Sequence, residues 1–254
     1  GSTDEEGDAA AMSYNKLFIT ITMLMLIFAA CRKEWTATEE DMTNYGWTLF
    51  EQASLDLTSN TAEEDFDDVL KWFEDATKKD TSYQDGYNGM GWTYAKLSMF
   101  KIPDDDFNDL NNAIDAFLKG EGKTQNPRID HNVWHDILAG LTFTYSVLHD
   151  DSMTIVWGDS LLSEIEKDRI TWAFPHEAVD INGNYPTDYL DVHIALALAK
   201  FIRATTIDDF NSSEYHVDAI NVAKNLSDFD ANYETIVGQQ KLAAKIQELQ
   251  EYLK

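Results

Sequence analysis

Gly46-Trp47-Thr48-Leu49, Gly91-Trp92-Thr93-Tyr94 and Gly140-Leu141-Thr142-Phe143 are three forms of one string, set 45 and then 49 residues apart. Each lies in a segment whose apolar residues recur at helical spacing. Each is followed by a second helical segment with a pattern of its own. Phe66, Val69, Phe73 and Ala76 stand at offsets 0, 3, 7 and 10. Leu110, Ala113, Phe117 and Gly120 repeat those offsets, as do Ile155, Gly158, Leu162 and Ile165, and again His216, Ala219, Ala223 and Leu226. Offsets of three and four put all four residues on one helix face. The second position is small in every copy, so a neighbouring helix can approach closely.

Asp80-Thr81-Ser82-Tyr83 also returns as Asp230-Ala231-Asn232-Tyr233, at the same distance from its helix. This two-helix unit resembles the tetratricopeptide repeat, whose first helix carries an aromatic, then Leu-Gly, then an aromatic three residues on. Tyr87, Met90-Gly91 and Tyr94 match that order. The family's second helix carries aromatic, Ala, aromatic and Ala at the offsets found above. The resemblance covers roughly residues 41–254 and is best in the first two units. The departures are a period of 45 or more where the family has about 34, and Thr81 in place of the usual Pro. The excess length falls between the helices of a unit, at 55–65 and 99–108.

The resemblance implies an all-α fold, an α-solenoid of about four stacked helical hairpins. One hairpin cannot bury its apolar face alone, so hairpins stack and share a core. The segment Tyr233 to Leu253 suits a C-terminal capping helix, with Ile236, Leu242, Ile246, Leu249 and Leu253 on one face and Gln, Glu and Lys on the other. The family binds partners in a groove lined by first helices. The candidate groove residues here are Asn44, Thr48, Asn88, Tyr94 and Lys96, and the implied partner is a protein or peptide.

The chain's other strong signal is an address. Lys16 precedes an apolar run that ends in Phe28-Ala29-Ala30-Cys31. A positive residue, a short apolar core and small residues at a cut make a secretory signal, and the run falls short of the ~20 residues of a spanning helix. It resembles the signal peptide of a bacterial lipoprotein, which implies lipidation of Cys31. Cys31 is the only cysteine, so no internal disulfide competes for it. An uncleaved anchor or a buried helix is the other reading. Several acyl chains on one residue would hold a protein durably on a membrane. Arg32 stands where lipoproteins kept at an inner membrane often carry Asp, which points to the outer membrane of a bacterial envelope. Residues 1–11 oppose the usual positive start and read as a tag or miscalled start. The expected order is then 1–11, signal peptide 12–30, lipidated Cys31 with a linker to 40, and a repeat domain over 41–254.

The chain carries 46 acidic against 19 basic residues, a net charge of −27. Such a surface repels phosphate backbones, so nucleic acid is not expected as a partner. It suits a solvated surface, with a cationic partner or divalent ions as the functional alternative. Seven Trp, eleven Tyr and thirteen Phe are too many aromatics for a disordered polyanion.

Residues 167–187 break the rhythm, with two prolines and an Asn-flanked Gly. Loops of that length are unusual without a purpose. Trp172, Phe174 and Tyr185 are expected either to pack this segment across a groove or to contact a ligand.

The chemical motifs are weaker. Gly158-Asp159-Ser160-Leu161 resembles the nucleophile block of GDSL-type esterases, with Met153 to Trp157 as the preceding strand and Ser160 as nucleophile. Only 94 residues follow Ser160, Asp191-Val192-His193 has the wrong spacing for the partner block, and Gly158 already belongs to a helix pattern. His131 and His135 are four apart and would share a helix face, but a metal needs more ligands; packed or solvated histidines are the plainer reading. Asp180, Asn182, Asn184 and Asp191 fall at positions 1, 3, 5 and 12 of a calcium loop, yet Tyr185 takes the place of the required Gly. Asp104 to Asp106 suit a helix start. No Walker loop, dinucleotide fingerprint or zinc-protease helix occurs. The expectation is therefore a non-enzymatic binding protein without cofactor or metal. A nutrient or carbohydrate binder is the alternative and an esterase the remote one.

Overall fold

The computed structural model describes residues 36–101, 103–123, 131–168, 170–179 and 185–207, with position 244. The backbone alone is described at 103–107, 131, 168 and 204–207. Cys31, the signal-like segment, the fourth helix pattern at His216 to Leu226 and, position 244 apart, the capping segment from Tyr233 lie outside the described residues.

The described residues form seven α-helices and no sheet: α1 Glu39–Ser54, α2 Ala62–Lys79, α3 Gln84–Leu97, α4 Pro103–Glu121, α5 His131–Val147, α6 Asp151–Asp168 and α7 Tyr189–Ile207. A short 3₁₀ turn, Ser98–Phe100, follows α3. None of these helices is long and apolar enough to cross a membrane.

Local chemistry sets the ends. Thr38 accepts from the Asp41 backbone at 3.0 Å, and Asp41 accepts from the Thr38 backbone at 2.8 Å. This reciprocal box satisfies two orphan donors of α1. Helix α2 opens on Glu63, Glu64 and Asp65 and closes on Lys78 and Lys79, matching the helix dipole at both ends. His149 takes a left-handed φ of 57°. The chain then turns at Asp150, whose Oδ1 accepts from the Met153 amide of α6 at 3.1 Å.

Each helix packs on the next, and α1 also touches α3, α3 touches α5, and α5 touches α7. Among the described residues α2 and α4, like α4 and α6, share at most slight contact. The alternate helices α1, α3, α5 and α7 are therefore neighbours along one side of the molecule.

The recurring strings explain this spacing. Phe66, Val69, Phe73 and Ala76 of α2 are all fully buried. The Phe73 ring lies between α1 and α3: a Cβ on Gly46 would sit 2.9 Å from Phe73 Cε1, and one on Gly89 would overlap the ring. Phe117 of α4 does the same one unit later, filling the space that a Cβ on Gly91 of α3 or Gly140 of α5 would need. In α2 and in α4 one aromatic thus wedges between glycines of the helices before and after it. The Thr of each string turns its hydroxyl back onto its own helix, at 2.9 Å to Asn44 O, 2.7 Å to Gly89 O and 2.7 Å to Leu138 O. This bond satisfies the polar group where Thr93 and Thr142 are fully buried. The third unit is looser. Ile155 and Leu162 are only partly buried, and Gly158 faces Leu196 of α7 rather than an aromatic.

Candidate functional site: the groove of alternate helices and its strap

The side formed by α1, α3 and α5 is where a partner was expected, and the chain's own segment 170–179 lies across it. Its first half is pinned to the chain just before α7. The Phe174 amide donates to Thr187 O at 2.9 Å and the Tyr189 amide to Trp172 O at 3.0 Å, an isolated antiparallel bridge between Ala173 and Asp188. Alternation about the bridge at Ala173 turns Trp172 and Phe174 the same way, and the turn at 175–176 brings His176 beside them.

Phe174 is fully buried. Its ring stacks on Trp92 with centroids 4.0 Å apart and meets Trp47 and Phe50 edge-on, each at 6.0 Å. His176 stacks flat on Trp47, 3.7 Å between centroids and 4° between planes. Trp172 tilts against Phe143 at 6.5 Å. Trp47, Trp92 and Phe143 all belong to the recurring Gly-containing strings, so the strap reads the repeat itself.

Polar groups hold the strap at both ends. Trp172 Nε1 donates to Asp136 Oδ1 at 2.8 Å in the interior. Glu177 accepts from Lys96 Nζ at 2.6 Å and from the Thr187 hydroxyl at 2.7 Å; the Glu177 side chain is only 7% exposed. Under the strap, Asp85 accepts from Trp47 Nε1 at 3.0 Å and from Asn88 Nδ2 at 3.2 Å. The groove floor thus holds two buried acids, Asp85 with Trp47 and Asn88, and Asp136 with Trp172.

Burial pushes the Asp136 carboxyl well above the usual range, with the Asp85 charge adding to it. Burial also raises Asp85, against the pull of Trp47 and Asn88. His176 goes the other way: burial lowers it to about 4, so its ring is neutral on Trp47.

The residues singled out from the sequence fall in different places. Asn88, expected to line an open groove, is fully buried and donates to Asp85. Lys96 is committed to Glu177. Trp172 and Phe174 pack inward and are closed to a ligand, whereas Tyr185 is 42% exposed. Tyr94 is partly buried, and Asn44 and Thr48 are exposed on α1. The structure therefore brings Asn88, Lys96, Trp172 and Phe174 into one assembly and leaves Asn44, Thr48 and Tyr185 outside it.

The weaker motifs resolve as follows. Met153 to Trp157 is helix and not strand, and Ser160 sits inside α6 with its hydroxyl on Val156 O at 2.7 Å. Asp159 is taken by Lys200, at 2.9 Å. A nucleophile needs a base at hydrogen-bonding distance, and this hydroxyl is spent on its own helix. His131 begins α5 and His135 is buried within it. Asp180, Asn182 and Asn184 lie outside the described residues. Asp191 serves a helix end instead. Its Oδ2 accepts from the Asp188 amide at 2.8 Å while Asp188 Oδ1 accepts from the Leu190 amide at 2.7 Å. The pair caps α7, and burial raises Asp191 to about 6. Among the described residues no cluster of three or more His, Cys, Asp or Glu could hold a metal ion.

Sequence reasoning passed over Asp85, Asp136, His176 and Glu177. The available signal was the presence of Asp85 and Asp136 in segments otherwise rich in apolar and small residues, where an acid must find buried donors.

No known family model, curated protein or solved structure matches this chain.

Proposed function

We propose that this chain is a lipid-anchored, extracytoplasmic helical-repeat protein that binds other proteins, acting as a scaffold or assembly factor in a bacterial envelope. Its architecture in this reading is a divergent tetratricopeptide-like solenoid of about four hairpins. The observation that carries it is the equivalence of Phe73 and Phe117, each wedged between glycines of two first helices one repeat apart. Contacts between alternate helices support the same stacking, and repeats of this kind build extended binding surfaces. Such surfaces act through sites grafted on the fold, so the inference to protein binding is one of fold analogy.

The strap adds to this reading. It is a non-helical segment held in the groove through aromatic anchors and one acidic side chain, and aromatic anchors seated in a groove are also how protein surfaces take a partner. With the groove filled in cis, an external partner meets the exposed residues Asn44 and Thr48 and the outer helix faces.

The anchoring part of the proposal rests on Lys16, the apolar run and Cys31. Mass spectrometry of protein made in a bacterium tests it: an unmodified Cys31 overturns the address. A quantitative pull-down from the native envelope, with residues 32–254 as bait and a denatured copy as control, tests the binding role. A reproducible enriched protein is expected; an empty result with bait shown folded by circular dichroism overturns it.

A further inference from the structure

A cleft of about 510 Å³ opens between α1 and α2, away from the strap. Tyr45 and Leu49 of α1 form one wall; Asp65, Asp68, Lys71 and Trp72 of α2 form the other. Tyr45 and Trp72 meet edge-to-face with centroids 4.6 Å apart, yet stay 48% and 36% exposed. Other Trp side chains of the first repeats, Trp47 and Trp92, are buried. An aromatic pair left in water beside two carboxylates has no role in the core.

We infer that this cleft binds a cationic side chain, an ammonium or guanidinium presented by a basic segment of a protein partner. Three observations point to that chemistry. The aromatic faces offer the negative quadrupole that attracts a cation. Asp65 and Asp68 add formal charge, and Glu63, Glu64 and Asp67 extend the acidic surface of α2. The basic residue among the described lining, Lys71, already places its ammonium on Asp68 at 2.7 Å, with both side chains about 70% exposed. An exposed pair of this kind is weak, so an incoming cation exchanges with Lys71 at little cost. A chain of net charge −27 also steers basic partners toward itself. The inference rests on the protein-binding reading above and supplies the partner's chemistry.

The test is calorimetric titration of the full chain, in a non-ionic detergent at low salt, with a tetra-arginine peptide. Tetra-glutamine and maltotriose serve as controls. Binding of tetra-arginine alone is expected. Trp72→Leu and the pair Asp65→Asn/Asp68→Asn should each weaken it about fivefold, the scale of an exposed cation–π contact or ion pair. Lys71→Met, which removes the competing ammonium, should tighten it about twofold. Asp115→Asn/Glu166→Gln removes two exposed charges elsewhere and should change little. Equal weakening by that control pair would make the binding non-specific and overturn the site. Binding of maltotriose in preference to the peptide would overturn it in favour of a sugar. Circular dichroism of each variant separates lost binding from lost fold. Repeating the envelope pull-down with the Asp65→Asn/Asp68→Asn bait separates the two proposals. Undiminished capture sinks the cleft and leaves the scaffold role, whereas peptide binding with no captured protein does the reverse.

Discussion

Phe174 stacks on Trp92 with 4.0 Å between ring centroids, although three helices separate them in the chain. That contact closes the groove of α1, α3 and α5 from within. It makes the strap a part of the core, and the consequences can be measured.

Phe174→Ala removes a fully buried ring and should cost about 3–5 kcal/mol in urea unfolding. Trp172→Phe keeps most of the aromatic bulk but takes the indole donor from Asp136, and should cost about 1–3 kcal/mol. A loss under about 0.5 kcal/mol for Phe174→Ala, the scale of a surface substitution, would mean that the strap does not occupy the groove.

The ion pair between Lys96 and Glu177 is mostly out of water. Lys96→Met leaves a buried carboxylate unpaired and should destabilise by about 3–5 kcal/mol. The double change Lys96→Met/Glu177→Leu should cost less than Lys96→Met alone, because it leaves no buried charge behind. A double-mutant cycle with no coupling would place these groups apart.

The glycines beside Phe73 and Phe117 are required by approach distance. Gly89→Ala forces a methyl into the Phe73 ring and should cost about 1–3 kcal/mol. Adding Phe73→Leu should recover part of that loss. Strict additivity in thermal melts would argue against the wedge.

Stability should vary with pH in two opposed ways. His176, lowered to about 4, is neutral in the fold while an unfolded His has a pKa near about 6.5. Its contribution is complete above about pH 6.5 and falls as pH drops toward about 4. Asp191, raised to about 6, and Asp136, also raised by burial, hold protons that the unfolded chain releases at about pH 3.9. Their contribution is complete below that pH and falls as pH rises, for Asp191 over about pH 4 to 6. His176→Phe should therefore flatten the acid-side loss. Asp136→Asn should reduce the loss toward alkaline pH. Urea midpoints measured from acid to mildly alkaline pH would show both slopes.

Much of the helical framework was legible in the residues. The offsets at Phe66 to Ala76 mark a buried face of α2, and those four residues are fully buried. The same offsets in α6 select two residues that are only partly buried, Ile155 and Leu162. A four-residue string such as Gly158 to Leu161 carries no information about its own backbone, and here it is helix, as the offsets through Gly158 indicate. The groove was the least legible part. Asn88 and Lys96 sit on the helix that the repeat pattern names, but nothing near them in sequence announces Asp136 or Glu177.

By itself the sequence determined the helical class, because side-chain periodicity follows from local backbone geometry. It also determined which residues of α2 and α4 turn inward. Only the tertiary structure decided what they turn toward: Phe73 and Phe117 between glycines of two other helices, and the strap in the groove. That outcome depends on segments far apart in sequence meeting at van der Waals distance, where Phe174, Asp136 and Glu177 find partners that no local pattern specifies.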